Sequence, residues 1–211
     1  MSIVADVSQP LAEVVVPLAP TPPQPQLFRL SVDQYHEMVR HAILTEDHKV
    51  ELLDGVLVAK MTKSTAHCVA NRLAQNSLAR VVPEGWCVDS QNAITLAINE
   101  PKPDVAVVRG QPRDFLEHHP LAEDLALVVE VSDSSLRYDR GLKKAIYAAA
   151  AIPVYWIINL VDRRVEVYTD PSGPADQPDY RQRQTCSGSE DVPVIISGRE
   201  VARIPARDLL P

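Results

Sequence analysis

The sequence predicts an α/β fold, and three observations predict it. Residues 125–131 are an apolar, β-branched run, residues 139–151 have helical character, and residues 154–158 are a second apolar run. Strand, helix and strand within about thirty residues make a βαβ unit, whose two strands are parallel neighbours. Hairpin patterns lie on either side of it, at 49–61 and around Asp162-Arg163.

In chain order, residues 1–26 form a separate segment, punctuated by Pro10, Pro17, Pro20, Pro22, Pro23 and Pro25. A flexible tail of polyproline character is expected there. Residues 27–211 read as a single domain without internal repeats. Ser31 and Gln34 give a capping-box pattern before a helix of about ten residues. That helix holds a near-match to a zinc-protease motif. Arg40 stands where the second histidine belongs, and His41 falls on a different helix face from His36, so a metalloprotease is not expected. At 49–61, Val50, Leu52 and Leu53 face Val56, Leu57 and Val58 across an Asp54-Gly55 turn. Glu51 lies on the first arm, where alternation alone makes it as readily an exposed strand carboxylate as a functional one.

Ser64 opens a helix reaching about residue 82, with Val69, Leu73, Leu78 and Val81 as its expected buried stripe. His67, in its first turn, is expected to be a surface or capping residue. Short strands follow near 86–89 and 93–98, then a third at 105–108 with Asp104 at its mouth. A polar loop at 110–123 carries His118 and His119, adjacent and therefore a poor metal pair. In the 125–131 strand, Glu130 breaks the apolar run. A buried ionised carboxylate costs several kcal/mol unless it is paired, so a cation or a metal is expected beside it. Asp139 reads as the N-cap of the next helix, with Lys143 and Lys144 in its first turns. Asp139 and Lys143 are also spaced as an ordinary helix ion pair worth a few tenths of a kcal/mol, and Arg140 could equally neutralise Glu130. Strands at 165–168, 180–186 and within 192–204 complete the chain.

Composition narrows the function classes. The 211 residues are 45% hydrophobic with a net charge of -7, so the whole protein does not attract polyanions and any nucleic-acid contact needs a local basic patch. Cys68, Cys87 and Cys186 are odd in number and lack metal-ligand spacing, which suits reduced thiols in the cytoplasm. The longest apolar run, 145–158, contains Pro153 and falls short of the roughly 20 residues a membrane span needs. The N-terminus has no basic region and carries Asp6, which argues against a signal peptide.

Three acids stand on or beside strands with apolar flanks: Glu51, Asp104 and Glu130. Neighbouring strands can bring such carboxylates together, and a cluster of them is stable mainly with a cation. Oxygen-only ligands suit magnesium or manganese, which polarise phosphoryl oxygens and acidify bound water. Lys143 could lean back over the strand end to stabilise developing negative charge.

These residues carry a resemblance. Pro103-Asp104, then Glu130 on the next core strand, then a lysine is similar to the PD-(D/E)XK nuclease superfamily. More specifically, the chain resembles the Uma family of restriction endonucleases, over roughly residues 28–209. The likeness rests on ELLDGVLVAKM (51–61) followed by His67, PKPDVAVV (101–108), VVEVSDSS (128–135) and YDRGLKKAIYAAAAIPVYWIIN (138–159). It implies a restriction-endonuclease-like core, a mixed central sheet flanked by helices, with the N-terminal hairpin and C-terminal minor strands around it. It implies a magnesium (or manganese) ion on Asp104 and Glu130, with Glu51 helping to bind it or orienting its water, and phosphodiester hydrolysis assisted by Lys143. The superfamily lysine usually sits two residues after the strand glutamate, where this chain has Ser132. In the Uma family it sits on the following helix, matched by Asp139-Arg140-Gly141-Leu142-Lys143. Two departures are Ser132-Asp133-Ser134-Ser135 in place of Ser-Pro-Ser-Thr, and Asn159 in place of a terminal Asp.

The leading expectation is a magnesium-dependent endodeoxyribonuclease, with DNA as substrate and a homodimer to cut both strands. Candidate phosphate binders are Lys60, Lys63, Arg72, Lys102 and Arg137. The alternative is a catalytically silent nuclease-fold protein acting as an interaction or assembly module. A hydrolase of another phosphoester class is a third reading.

Overall fold

The computed structural model describes residues 27–211; the proline-rich segment 1–26 lies outside the described residues. The architecture is mixed α/β around a six-stranded sheet of order β3-β4-β5-β6-β7-β8. Its strands are β3 (Trp86–Asp89), β4 (Val105–Arg109), β5 (Leu125–Ser132), β6 (Val154–Asn159), β7 (Arg164–Pro171) and β8 (Tyr180–Ser187). β5 and β6 pair in parallel and every other neighbour is antiparallel, so the expected βαβ unit sits at the centre of the sheet.

The N-terminal hairpin forms as read, β1 (Val50–Leu53) against β2 (Val56–Ala59). Asp54 and Gly55 both have positive φ, 50° and 70°, the conformation a two-residue hairpin turn needs. A Cβ on Gly55 would lie 2.6 Å from the Arg29 Cβ, so glycine is also required there by close approach. Helix α1 (Val32–Arg40) carries the expected capping box, with Ser31 and Gln34 bonding reciprocally. Helix α2 (Thr65–Ala79) starts from Ser64, whose hydroxyl accepts the His67 N–H.

The sheet is covered on both faces. One face packs on α2 and on the hairpin of β9 (Asp191–Ile196) and β10 (Arg199–Pro205), with Val107, Leu127, Val129, Trp156 and Val167 in the core. The other face carries the β1–β2 hairpin and a helical crossover, around Leu53, Val128, Tyr147, Tyr155 and Ile157. The crossover is α3 (Leu136–Tyr138), a π-helical turn over Asp139–Lys143, and α4 (Lys144–Ala149).

Three expectations are corrected. The α2 stripe is Ala70, Ala74 and Leu78, with His67 and Asn71, while Val69 is exposed. Small alanines let the helix backbone approach the sheet, and the larger valine turns outward. Residues 93–98 form no strand beyond an isolated bridge of Thr95 to Leu121. Ile94 and Leu96 instead bond back to Pro101 and Asn99 of the same loop. Pro101 and Pro103 have no N–H to donate to a ladder. Asp139 is not an N-cap. The helix begins four residues earlier, where Ser135 accepts the Tyr138 and Asp139 N–H groups, and Asp139 is buried within it.

Where the end of β6 meets the start of β7, an ionic cluster closes the fold. Glu166 is fully buried and meets Arg140, Arg183 at 3.0 Å, Asn159 at 3.0 Å and the Tyr168 hydroxyl at 2.7 Å. Burial alone would raise its carboxyl. Hydrogen bonds from Arg140, Tyr168 and Asn159 and the charge of Arg183 overcome that and hold it at about 2. The folded-state value lies below the ordinary 4.5, so the stabilisation is fully present above pH 4.5 and is lost as pH falls toward 2. Allowing for screening by its partly exposed arginines, the loss is about 2 kcal/mol. Acid denaturation of Glu166→Gln is expected to lack that part of the pH dependence.

Candidate active site

The three acids come from three different elements. Glu51 is on β1, Asp104 precedes β4, and Glu130 is near the end of β5, on the same face as Val128 and Ser132. All three are buried, at 4% exposure each, and so is Lys143, at 5%. They line one cavity of about 500 Å³, together with Lys60, Lys63, Lys102 and Arg137. Of the residues proposed for phosphate contact, Arg72 alone is not among the lining residues; it lies exposed on α2.

Lys143 is the hub. Its Nζ is 2.8 Å from Glu130 Oε1 and 3.3 Å from Glu51 Oε1. This is the cation that the buried Glu130 required, and it displaces both simpler readings. Lys143 does not pair with Asp139, and Arg140 turns to Glu166 and Asp162 instead of Glu130. Burial alone would lower the Lys143 ammonium, but the facing Glu130 and Glu51 carboxylates raise it well above its ordinary value. Burial and the charges of Asp104, Asp139 and Glu51 push the Glu130 carboxyl up, against the pull of Lys143. The Tyr147 hydroxyl donates to the same Glu130 oxygen at 2.6 Å, so Lys143 and Tyr147 converge on Oε1. Glu51 receives the Lys102 N–H on its other oxygen at 3.0 Å.

The π-helical turn explains how a helix residue reaches the strand. Its first residue is tied to the strand by Ser132 and Ser135, whose hydroxyls donate to Asp139 Oδ2 at 2.7 and 2.6 Å. The Tyr155 hydroxyl holds the Asp139 carbonyl at 3.1 Å, and Arg140 is anchored on Glu166. π-turns are uncommon and cluster at functional sites; here the turn ends on Lys143.

Asp104 is neutralised from the other side. Lys63 Nζ lies 2.8 Å from Oδ1, His67 Nε2 lies 3.0 Å from Oδ2, and the Val131 N–H donates to Oδ2 at 2.9 Å. Burial alone would raise this carboxyl; the bonds and charges of His67 and Lys63 reverse that and hold it below the ordinary range. His67 is thus buried in the site, correcting its reading as a surface residue. The spacing of His67, Ala70, Asn71, Ala74 and Leu78 would have revealed it, had alanine been counted as a core residue. Tyr147 was also missed, although it stands one turn beyond Lys143 on the same helix face.

The near-motif of α1 leads elsewhere. His36 bonds the buried Glu100 from another segment, and His119 Nε2 is 3.9 Å from the other Glu100 oxygen. Among the described residues no three His, Cys, Asp or Glu groups stand close enough to hold a metal by themselves. Magnesium does not need such a cage: it is commonly held by one or two carboxylates and completes its shell with water and substrate phosphates. Asp104 and Glu130, hard oxygen donors lining one cavity, fit that manner of binding. Glu51 has both oxygens engaged, by Lys143 and the Lys102 N–H, as Asp104 has by Lys63, His67 and the Val131 N–H.

No curated protein matches the sequence. A solved structure described as a putative nuclease belonging to DUF820, from Anabaena variabilis, is similar with a TM-score of 0.64 at 15% identity, over 85% of this chain and 97% of that chain. At such identity the likeness speaks for the fold. A family model described as "Uma2: Putative restriction endonuclease" matches residues 32–202. With that match covering most of its length, the chain belongs to the Uma2 family.

Proposed function

We propose that the protein is a divalent-metal-dependent nuclease that hydrolyses DNA phosphodiester bonds. The observation that carries the reading is the Lys143 ammonium, held between two buried carboxylates on the wall of a cavity that also contains Asp104. Asp104 and Glu130 would hold magnesium or manganese, which supplies polarisation of the phosphoryl oxygen and an acidified water. Lys143 is the fixed cation against which negative charge on the phosphate develops, at a position already desolvated. Glu51 keeps that ammonium oriented, and Tyr147 orients Glu130. Lys63, now on Asp104, is one cation that an incoming phosphate could draw off. Cutting both strands of a duplex would most simply use a two-fold dimer, one site per strand.

A second reading, a silent nuclease fold used for assembly, draws on one specific observation. Asp104, Glu130 and Glu51 each already have a cation partner, so the cluster is electrostatically satisfied without a metal. Calorimetric titration with magnesium and manganese separates the two. Binding by the wild type that is abolished in both Asp104→Ala and Glu130→Ala is expected. If the wild type binds neither ion, with or without a DNA oligonucleotide present, the nuclease reading fails and the assembly reading gains. Competition of nucleotides against DNA in a cleavage assay tests the third reading, a hydrolase of another phosphoester class.

A further inference from the structure

The site is recessed. Glu51, Asp104, Glu130 and Lys143 are each no more than 5% exposed, so a scissile phosphate must enter the cavity to meet them. The cavity measures about 500 Å³, within the range of small-ligand pockets of roughly 300–1,000 Å³. That is room for about one nucleotide. A duplex carries its phosphates on a stiff rod with a persistence length of about 50 nm and cannot push one of them into such a recess without unstacking. The wall is tied as well: Ser64 Oγ donates to Asp133 Oδ2 at 2.9 Å, joining the start of α2 to the loop after β5.

The charges around the cavity point the same way. Lysines and arginines carry the grip on DNA phosphates, and a protein that neutralises about 6–10 of them shows a steep salt dependence. Four cationic side chains besides Lys143 line this cavity, and two of them are engaged. Lys63 is on Asp104, and Lys60 Nζ donates to the Lys102 carbonyl at 3.2 Å. Lys102 and Arg137 have no side-chain ion pair or hydrogen bond among the described residues. The acids Asp133 and Asp139 offset them. Tyr138 adds an aromatic side chain to the wall, the kind of surface on which an unpaired base stacks.

Resting on the nuclease reading, we propose that the substrate is unpaired DNA, a single strand, overhang or flap, threaded into the cavity about one nucleotide deep. A flexible strand reaches the recessed Lys143 with its phosphate and needs few anchoring cations. It also needs only one site, so activity would not depend on a dimer.

The test uses the full chain and one fluorescent oligonucleotide, either single-stranded or annealed to its complement. In EDTA, fluorescence anisotropy is expected to give at least tenfold tighter binding of the single strand. The slope of log K against log salt should be shallower than about −3, since only a few phosphates are neutralised. With magnesium, the single strand should be cut at least tenfold faster than the duplex. Equal or better binding and cutting of the duplex, or a salt slope of about −6 or steeper, would overturn the proposal while leaving the nuclease reading intact. Preferential single-strand binding with no cleavage under any metal would uphold the strand preference and sink the nuclease reading. Binding of neither form would sink both.

Discussion

Replacing Lys143 with alanine is expected to reduce cleavage by a factor of about 10² to 10³, the loss that follows removal of one fixed charge-stabilising donor. It is also expected to destabilise the fold. The ammonium is buried, 2.8 Å from Glu130 and 3.3 Å from Glu51. Taking it away leaves two carboxylates in the interior without their cation, and breaking such a pair typically costs about 3–5 kcal/mol. The two effects are separable. Adding Glu130→Gln removes one of the stranded charges, so Lys143→Ala with Glu130→Gln should recover much of the lost stability in urea unfolding and none of the activity. A Lys143→Ala protein that unfolds at the wild-type denaturant concentration would contradict the pairing. One that also cuts DNA normally would remove Lys143 from the mechanism.

The largest purely structural effect is expected at Trp156. It is fully buried on β6, with Val129 and Val167 as its cross-strand partners on β5 and β7. Its indole N–H has no hydrogen-bond partner among the described residues, so its contribution there is packing. Trp156→Ala should cost about 3–5 kcal/mol, seen as a fall in Tm of roughly 10 °C for a chain of this size. Trp156→Phe keeps an aromatic ring and loses no hydrogen bond, and should cost clearly less. Equal losses for the two variants would mean that the indole N–H matters after all. The effect would reach the site through register, because β6 is the parallel partner along which Glu130 is aligned.

What the residues made legible was what local pattern controls. The Asp54-Gly55 turn, the Ser31 capping box and the β5–crossover–β6 unit each depend on neighbours in sequence, and each formed where the pattern put it, save that the crossover helix starts before Asp139. Glu130 was legible for a different reason: a carboxylate in an apolar run demands a partner, wherever the partner comes from. The identity of that partner was not. Asp139, Arg140 and Lys143 all lay within reach on paper, and helix spacing favoured an Asp139–Lys143 pair. The π-helical turn decided otherwise, and it depends on Ser132, Ser135, Tyr155 and Glu166, contributed by the neighbouring loop and three strands. His67 and Val69 were exchanged for a similar reason. Hydropathy places valine inside, but the close approach of α2 to the sheet selects alanines, and the charge of Asp104 draws the histidine in.

The order of elements along the chain has a consequence for synthesis. Glu51, Asp104, Glu130 and Lys143 have all left the ribosome before β6 at Val154–Asn159 begins to emerge. The strand carrying Glu130 then has its antiparallel neighbour β4 but lacks β6 on its other side. The nascent polypeptide therefore holds every reactive group without the sheet that aligns them, and fragments ending before 154 should be inert. For a protein proposed to cut DNA, products that terminate before β6 would therefore carry the reactive groups without the activity.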